Sequence, residues 1–394
     1  MPGHELRRAG SPEDALAAPG RTHRYPGIRS DSDLHTFGYR FKPWTTAPIA
    51  SAAEILKYMG DVIEENDLAP HIRYQHTHHL GEVVERGKPL TIEAIRTDTG
   101  EKRFASPPTS SGCARAITAT PKAIRRSGRT WPDFKGPIVH PQKWPEDLDY
   151  KNKRVVVIGS GATAATLIPA MANDCAHVTM LQRSPTYFRT GRNAIEIAES
   201  CAQLQVDETW IHEITRRKIL FDQDAFTRKT FEEPEAAKKD LLSAVEAYLG
   251  TDYDIATHFT PKYRPWRQRI AFIPDGDLFQ GIKSGKASVV TDEIDRFTEK
   301  GILLKSGKEL EADIIVTATG FNLSRQRRHR IRDRRQAARF RRHRDLSRHD
   351  VHRRAQPGLG VRLFPRQLDA ARRPRRRLRL PAAQPHEAKS ARRR

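Results

Sequence analysis

The sequence predicts an α/β protein built on doubly wound parallel sheets, followed by an arginine-rich tail. Between residues 131 and 322, apolar runs at Arg154–Gly159, His177–Gln182, Ala287–Val290 and Asp313–Thr317 alternate with helical stretches. That is the pattern of buried parallel strands joined by crossover helices. The first run enters a glycine turn, Gly159-Ser160-Gly161-Ala162-Thr163-Ala164, which opens a helix. Residues 324–394 hold 26 basic residues, 25 of them Arg, against five acidic ones. Such text is too charged and too poor in apolar residues to bury a core, and it is expected to be disordered.

This division governs the composition. The tail carries +21 of the chain's net +22, so the remainder is close to neutral. The high overall charge is therefore no argument for a basic nucleic-acid-binding fold. The tail also lacks interleaved aromatics, Phe340 and Phe364 being its only two, which argues against a nucleic-acid partner. Cys113, Cys175 and Cys201 have neither metal-ligand nor redox spacing, which points to a reducing compartment. The start, MPGHELRRAG, has no apolar segment of signal-peptide type, and no apolar run reaches the roughly 20 residues of a membrane span. A cytoplasmic protein is expected, with peripheral membrane association left open.

Along the chain, residues 1–23 show no periodicity and are expected to be disordered. Ile55, Met59, Val62 and Ile63 share one helical face behind Ser51, a residue suited to the N-cap. Short strands are expected at Ile72–Gln75, Thr91–Arg96 and Lys102–Ala105, with turns at Gly87–Pro89 and Asp98–Gly100. His76-Thr77-His78-His79 has no Cys or acidic partners at ligand spacing and reads as a solvated loop, so no metal site is expected. Pro107–Thr130 has no period, and Asn193–Leu249 reads as mostly helical. Pro169 is expected to kink the helix that it interrupts.

The glycine turn carries the chemistry. Gly159 permits a tight turn, Gly161 lets backbone N–H groups approach a pyrophosphate, and Ala164 lets helix and strand pack closely. The helix N-terminus adds partial positive charge. Ser160, Ala162 and Thr163 complete the turn. The second strand ends in Gln182-Arg183-Ser184, where an NAD-specific Rossmann-like fold has a carboxylate. An arginine there accommodates a 2′-phosphate, so NADPH is favoured over NADH.

Ahead of that turn, Phe134, Gly136, His140, Trp144 and Pro145 stand in the order Phe-x-Gly-x-x-x-His-x-x-x-Trp-Pro. This run resembles the fingerprint of the Baeyer–Villiger monooxygenases, a branch of the flavin-containing monooxygenases. Within that family the chain looks closest to the mycobacterial thioamide-activating type. The resemblance implies a linker between flavin and nicotinamide domains, in which His140 is a positioning residue. Tyr25-Pro26-Gly27-Ile28-Arg29-Ser30-Asp31 resembles the family's loop beside the flavin, and Ala318-Thr319-Gly320 its return into the flavin domain. Thr260–Arg269 resembles the segment that presents the catalytic arginine. By that correspondence Arg269 is the active-site cation and Asp31 its carboxylate, although Arg264 and Arg267 stand in the same loop.

What the resemblance implies is an FAD- and NADPH-dependent monooxygenase. It would use O2 to insert oxygen next to a ketone carbonyl, or to oxygenate a thioether- or thioamide-like substrate. The alternatives are an inactive NADPH-binding remnant and an arginine-rich nucleic-acid-binding protein. The expected organisation is 1–23 unassigned, 24–145 partial flavin-domain segments and linker, 146–317 the NADPH domain with its helical insertion, 318–323 the return, and 324–394 the tail. Residues 1–23, 107–130 and those after 323 depart from the family pattern, and the flavin domain lacks its glycine turn and first βαβ unit. The chain as it stands is therefore expected to bind FAD poorly. The abrupt Arg/Pro/Ala/His text at these breaks is what out-of-frame reading of GC-rich DNA produces, an expectation that the other reading frames of the gene test.

Overall fold

From residue 24 onward the chain runs through a loop into a single-turn helix α1 (Leu34–Phe37) and then α2 (Ala52–Glu65). The computed structural model describes residues 24–72, 76–82, 91–96, 99–105, 133–320, 332–333 and 336–337. The start of α2 is set locally. Ser51 Oγ accepts from the Glu54 N–H, and the Glu54 carboxylate accepts from the Ser51 N–H at 2.7 Å, a reciprocal capping box. Three strands follow, β1 (His76–Glu82), β2 (Thr91–Arg96) and β3 (Lys102–Ala105), paired antiparallel. Arg332–Asp333 joins the free edge of β1 in parallel, and Gln336–Ala337 pairs with it in turn.

Two expectations change here. Ile72 closes a 3-10 turn (Ala69–His71) rather than opening a strand, and residues 73–75 lie outside the described residues. The segment expected to be a solvated loop, His76–His79, is the first half of β1, because pairing with β2 supplies its backbone partners. The expectations for 1–23, for 107–130, for the turn at Gly87–Pro89 and for most of the tail fall outside the described residues.

The centre of the molecule is a five-stranded parallel sheet. Its strands are β4 (Ile138–Val139), β5 (Arg154–Ile158), β6 (His177–Gln182), β9 (Ala287–Thr291) and β13 (Ile314–Thr317), in the order β4-β13-β5-β6-β9. The sheet thus begins at 138, ahead of the expected domain start at 146. Between β5 and β6 lies α3 (Ala162–Ala172), which runs on through Pro169. Between β6 and β9 come β7 (Phe188–Gly191), α4 (Glu196–Gln203), α5 (Glu208–Glu232), α6 (Pro234–Leu249), α7 (Ile255–Phe259), β8 (Ala271–Pro274) and α8 (Asp277–Lys283). β7 and β8 pair with each other in parallel.

Strand β5 shows why an uninterrupted apolar run is needed. Val155 and Val157 join the core beneath α3 and α8, with Leu167, Ile168, Leu278 and Phe279. Val156 points to the opposite face and packs with Phe297, Ile302 and Leu304. That second face is covered by an antiparallel meander, β10 (Ile294–Phe297), β11 (Gly301–Leu304) and β12 (Glu309–Glu311), where the sequence reading placed no elements. These strands have three or four residues each, too few to show a period. The two clusters bury both faces of the sheet and fix the edge at which its strands end.

Candidate cofactor crevice and active-site pair

The strand order reverses at β5. β6 lies on one side of it and β13 on the other, so the crevice beyond their C-terminal ends is a topological switch point. Gly159 turns the chain there with φ +126°, and a Cβ would stand 2.5 Å from the Ala318 carbonyl oxygen. Its N–H donates to the Leu181 carbonyl at 2.8 Å, which ties the turn to β6. Gly161 is the N-cap of α3 with no side-chain cap, and no atom lies within 4 Å of where its Cβ would be. The leading N–H groups of α3 therefore face a clear approach. Ala164 is fully buried against the sheet. Ser160 is buried with its hydroxyl 2.9 Å from Thr186 Oγ1.

Arg183 and Ser184 follow β6 and are exposed. Arg183 adds to the positive field that holds the Glu293 carboxyl below its usual range, a shift owed first to Lys305. The residue before it is anchored. Gln182 is buried, and its Nε2 donates to the His258 carbonyl at 2.7 Å and to Thr291 Oγ1 at 2.9 Å. A turn that a Cβ would fill, an open helix N-terminus and an exposed arginine one strand over fit a dinucleotide with a 2′-phosphate. Thr186 was missed in the sequence, and Gln182 was read there only as the end of the second strand, since only their tertiary partners reveal their roles.

Tyr25 meets the same turn from the other segment. Its phenol hydrogen-bonds the Thr163 side chain, and burial raises its pKa. Gly27, with φ +69°, lets the loop close on α3, where a Cβ would lie 2.4 Å from Ala170 Cβ. Asp31 and Arg269 form an ion pair at 2.8 Å, with both side chains about half exposed. The other arginines of that loop differ. Arg264 donates to the Thr230 carbonyl at 2.9 Å and stacks on Phe231, whereas Arg267 is exposed. A second bridge, Arg29 to Asp277 at 2.5 Å, clamps the 24–33 loop to α8 and has no signature in the sequence.

In the fingerprint, Phe134 belongs to the core under the meander, and a Cβ on Gly136 would meet the Asp313 carbonyl at 2.5 Å. His140 Nδ1 accepts from the Gln142 N–H at 3.2 Å and caps the 3-10 turn Pro141–Lys143. Trp144 stands edge-on to Tyr150, ring centres 6.3 Å apart. Ala318, Thr319 and Gly320 follow β13 at the crevice, with Gly320 at φ +99°. Burial pushes the Cys175 thiol up to about 12, so it offers no thiolate nucleophile. Among the described residues there is no group of three potential metal ligands, and no helix is long and apolar enough to cross a membrane.

A parallel sheet with this crevice is a fold that the chain shares with solved monooxygenases. Solved structures with that fold include ε-caprolactone-bound cyclohexanone monooxygenase, with TM-score 0.59, 21% identity, and coverage of 80% of this chain and 69% of that one. Oxidized steroid monooxygenase bound to NADP gives TM-score 0.60 and 23% identity, over 78% of this chain and 65% of that one. No family model matches. At the level of sequence the chain is 44% identical over 311 residues to MymA of Mycobacterium tuberculosis. It is 43% identical over 315 residues to the FAD-containing monooxygenase EthA of the same species. Both alignments cover 76% of this chain and 61% of the relative. The chain is thus similar in sequence to FAD-containing monooxygenases, and it spans about three fifths of the length of the curated relatives it matches.

Proposed function

We propose that this chain serves an NADPH- and FAD-dependent monooxygenase of Baeyer–Villiger type, acting with O2 on a small ketone or on a thioether- or thioamide-like molecule. The observation that carries the reading is the Arg269–Asp31 ion pair, formed between two segments more than two hundred residues apart. Arg183, Ser184 and the turn Gly159–Ala164 would hold NADPH. Tyr25, Asp31 and Ala318–Gly320 would face FAD, as the family resemblance implies. Bound FAD supplies the oxygen-activating chemistry and NADPH the reducing equivalents.

The residues supply position and charge. A guanidinium has five N–H donors, and Asp31 engages it through Nη2, so further donors remain for an oxyanion as negative charge develops. The carboxylate would help to orient the guanidinium. The test is whether the protein, supplied with excess FAD, consumes NADPH and O2 in a substrate-dependent way with a simple ketone. Arg269→Ala is expected to lower turnover by roughly 10²–10³, the usual cost of losing one such electrostatic group, with NADP+ binding retained. Turnover equal to wild type would refute the role.

A further inference from the structure

A buried amide without a partner stands at the same edge of the sheet. Gln142 lies in the turn Pro141–Lys143, three residues beyond the end of β4. It is 5% exposed, and neither its Oε1 nor its Nε2 has a hydrogen-bond partner. Among the described residues it is the one side chain with two such atoms. Burying an amide in this way forfeits its hydration with nothing in return, so it calls for a bound partner or another specific cause.

The topology indicates what that partner is. β4 runs parallel beside β13, and β13 beside β5, so all three end at the crevice. Adjacent strands are about 4.8 Å apart, which sets β4 roughly 10 Å from β5. In the dinucleotide reading the 2′-phosphate lies at Arg183 after β6 and the pyrophosphate at Gly161 after β5. A ligand that runs from β6 to β5 continues over β13 and β4, and this brings its nicotinamide half to the turn that carries Gln142. A primary carboxamide presents donors and an acceptor side by side, the complement of another carboxamide or of a cyclic imide edge. We propose that Gln142 binds the amide-bearing ring of the bound cofactor, either the nicotinamide carboxamide or the like-patterned edge of the flavin. The inference rests on the dinucleotide reading above.

The experiment compares wild type with Gln142→Leu by thermal melting and by calorimetric titration with NADP+, 2′,5′-ADP and FAD. Leucine removes the unpartnered amide at similar volume, so the melting temperature is expected to hold or rise. NADP+ affinity is expected to fall about tenfold, the worth of one or two hydrogen bonds, with 2′,5′-ADP bound as in wild type because it lacks the nicotinamide half. A loss confined to FAD supports the proposal and assigns the flavin edge instead. Unchanged affinity for both NADP+ and FAD overturns it. So does a lowered melting temperature, the mark of a structural amide, or an equal loss for 2′,5′-ADP. A wild type that fails to bind 2′,5′-ADP refutes the dinucleotide reading itself, and this inference with it.

Discussion

In the reading proposed above, the choice of cofactor turns on Arg183. It is exposed at the end of β6, one strand from a glycine turn that leaves the N-terminus of α3 open. Its replacement by Ala is expected to cost NADPH binding on the order of 1–3 kcal/mol, as for a charge-assisted phosphate contact, and to leave NADH binding nearly unaltered. Titration of both proteins with both cofactors checks this, and equal affinity of wild type for NADPH and NADH would sink it. The placement of the turn and the arginine was legible in the sequence because they sit at fixed spacing on either side of one helix. Arg269 was legible through the family resemblance, with two further arginines beside it in the same loop. Arg264 is spent on the Thr230 carbonyl and the Phe231 ring, which leaves Arg269 to meet Asp31. That distribution depends on α5 and on the 24–33 loop, neither of which is near in sequence.

Between elements, the contact of α1 with α5 has a built-in pH dependence. His35 and His212 are both almost fully buried, at 5% and 6% exposed. Burial is the main cause that lowers the pKa of each. The charged and titratable groups that act on them are Asp33 and Arg216 on His35, and Arg216, Glu213, His35 and Arg40 on His212. The contact is further tied by Arg216 to the His35 carbonyl, by Arg40 to Glu213 at 2.7 Å, and by Gln223 to Asp33 at 3.3 Å. With folded values below the ordinary histidine value, the unfolded chain binds the extra protons. The stabilisation is then complete above about pH 6.5 and is lost as pH falls through the folded values. Melting temperature should decline between roughly pH 7 and 5, and the decline should flatten in a His35→Gln, His212→Gln double variant. A slope unchanged in that variant would assign the loss to other groups. Elements such as α2 were legible because a capping box and an apolar stripe lie within one turn or two. The meander β10–β12 was not, because strands this short are specified by the sheet face that they cover.

For the molecule as a whole, charge and fold are separable. The residues of the crevice and of the ion pair all precede residue 321, whereas 324–394 hold +21 of the net charge. A chain ending at residue 323 is expected to bind NADP+ as tightly as the full chain at physiological ionic strength, and to lose its strong retention on a cation exchanger. A markedly weaker NADP+ affinity in the shortened chain would show that the tail contributes to the site. The clamp between the 24–50 segment and the central body is also a property of the whole. Arg29–Asp277, Asp31–Arg269 and the paired Ile49–Asn193 hydrogen bonds at 2.8 and 2.9 Å each join residues far apart in the chain.

The sequence by itself determined the parallel strands, the glycine turn, the arginine after β6 and the kinship with flavin monooxygenases. Each of these is written in adjacent residues, where steric limits and periodicity act over a turn or a strand. Only the tertiary structure decided that Arg264 turns to Thr230 and Phe231, that the meander closes the second face of the sheet, that His76–His79 lies in a strand, and that Gln142 is buried without a partner. Those outcomes follow from packing and desolvation, which depend on what the fold brings together across hundreds of residues, and no local pattern encodes them.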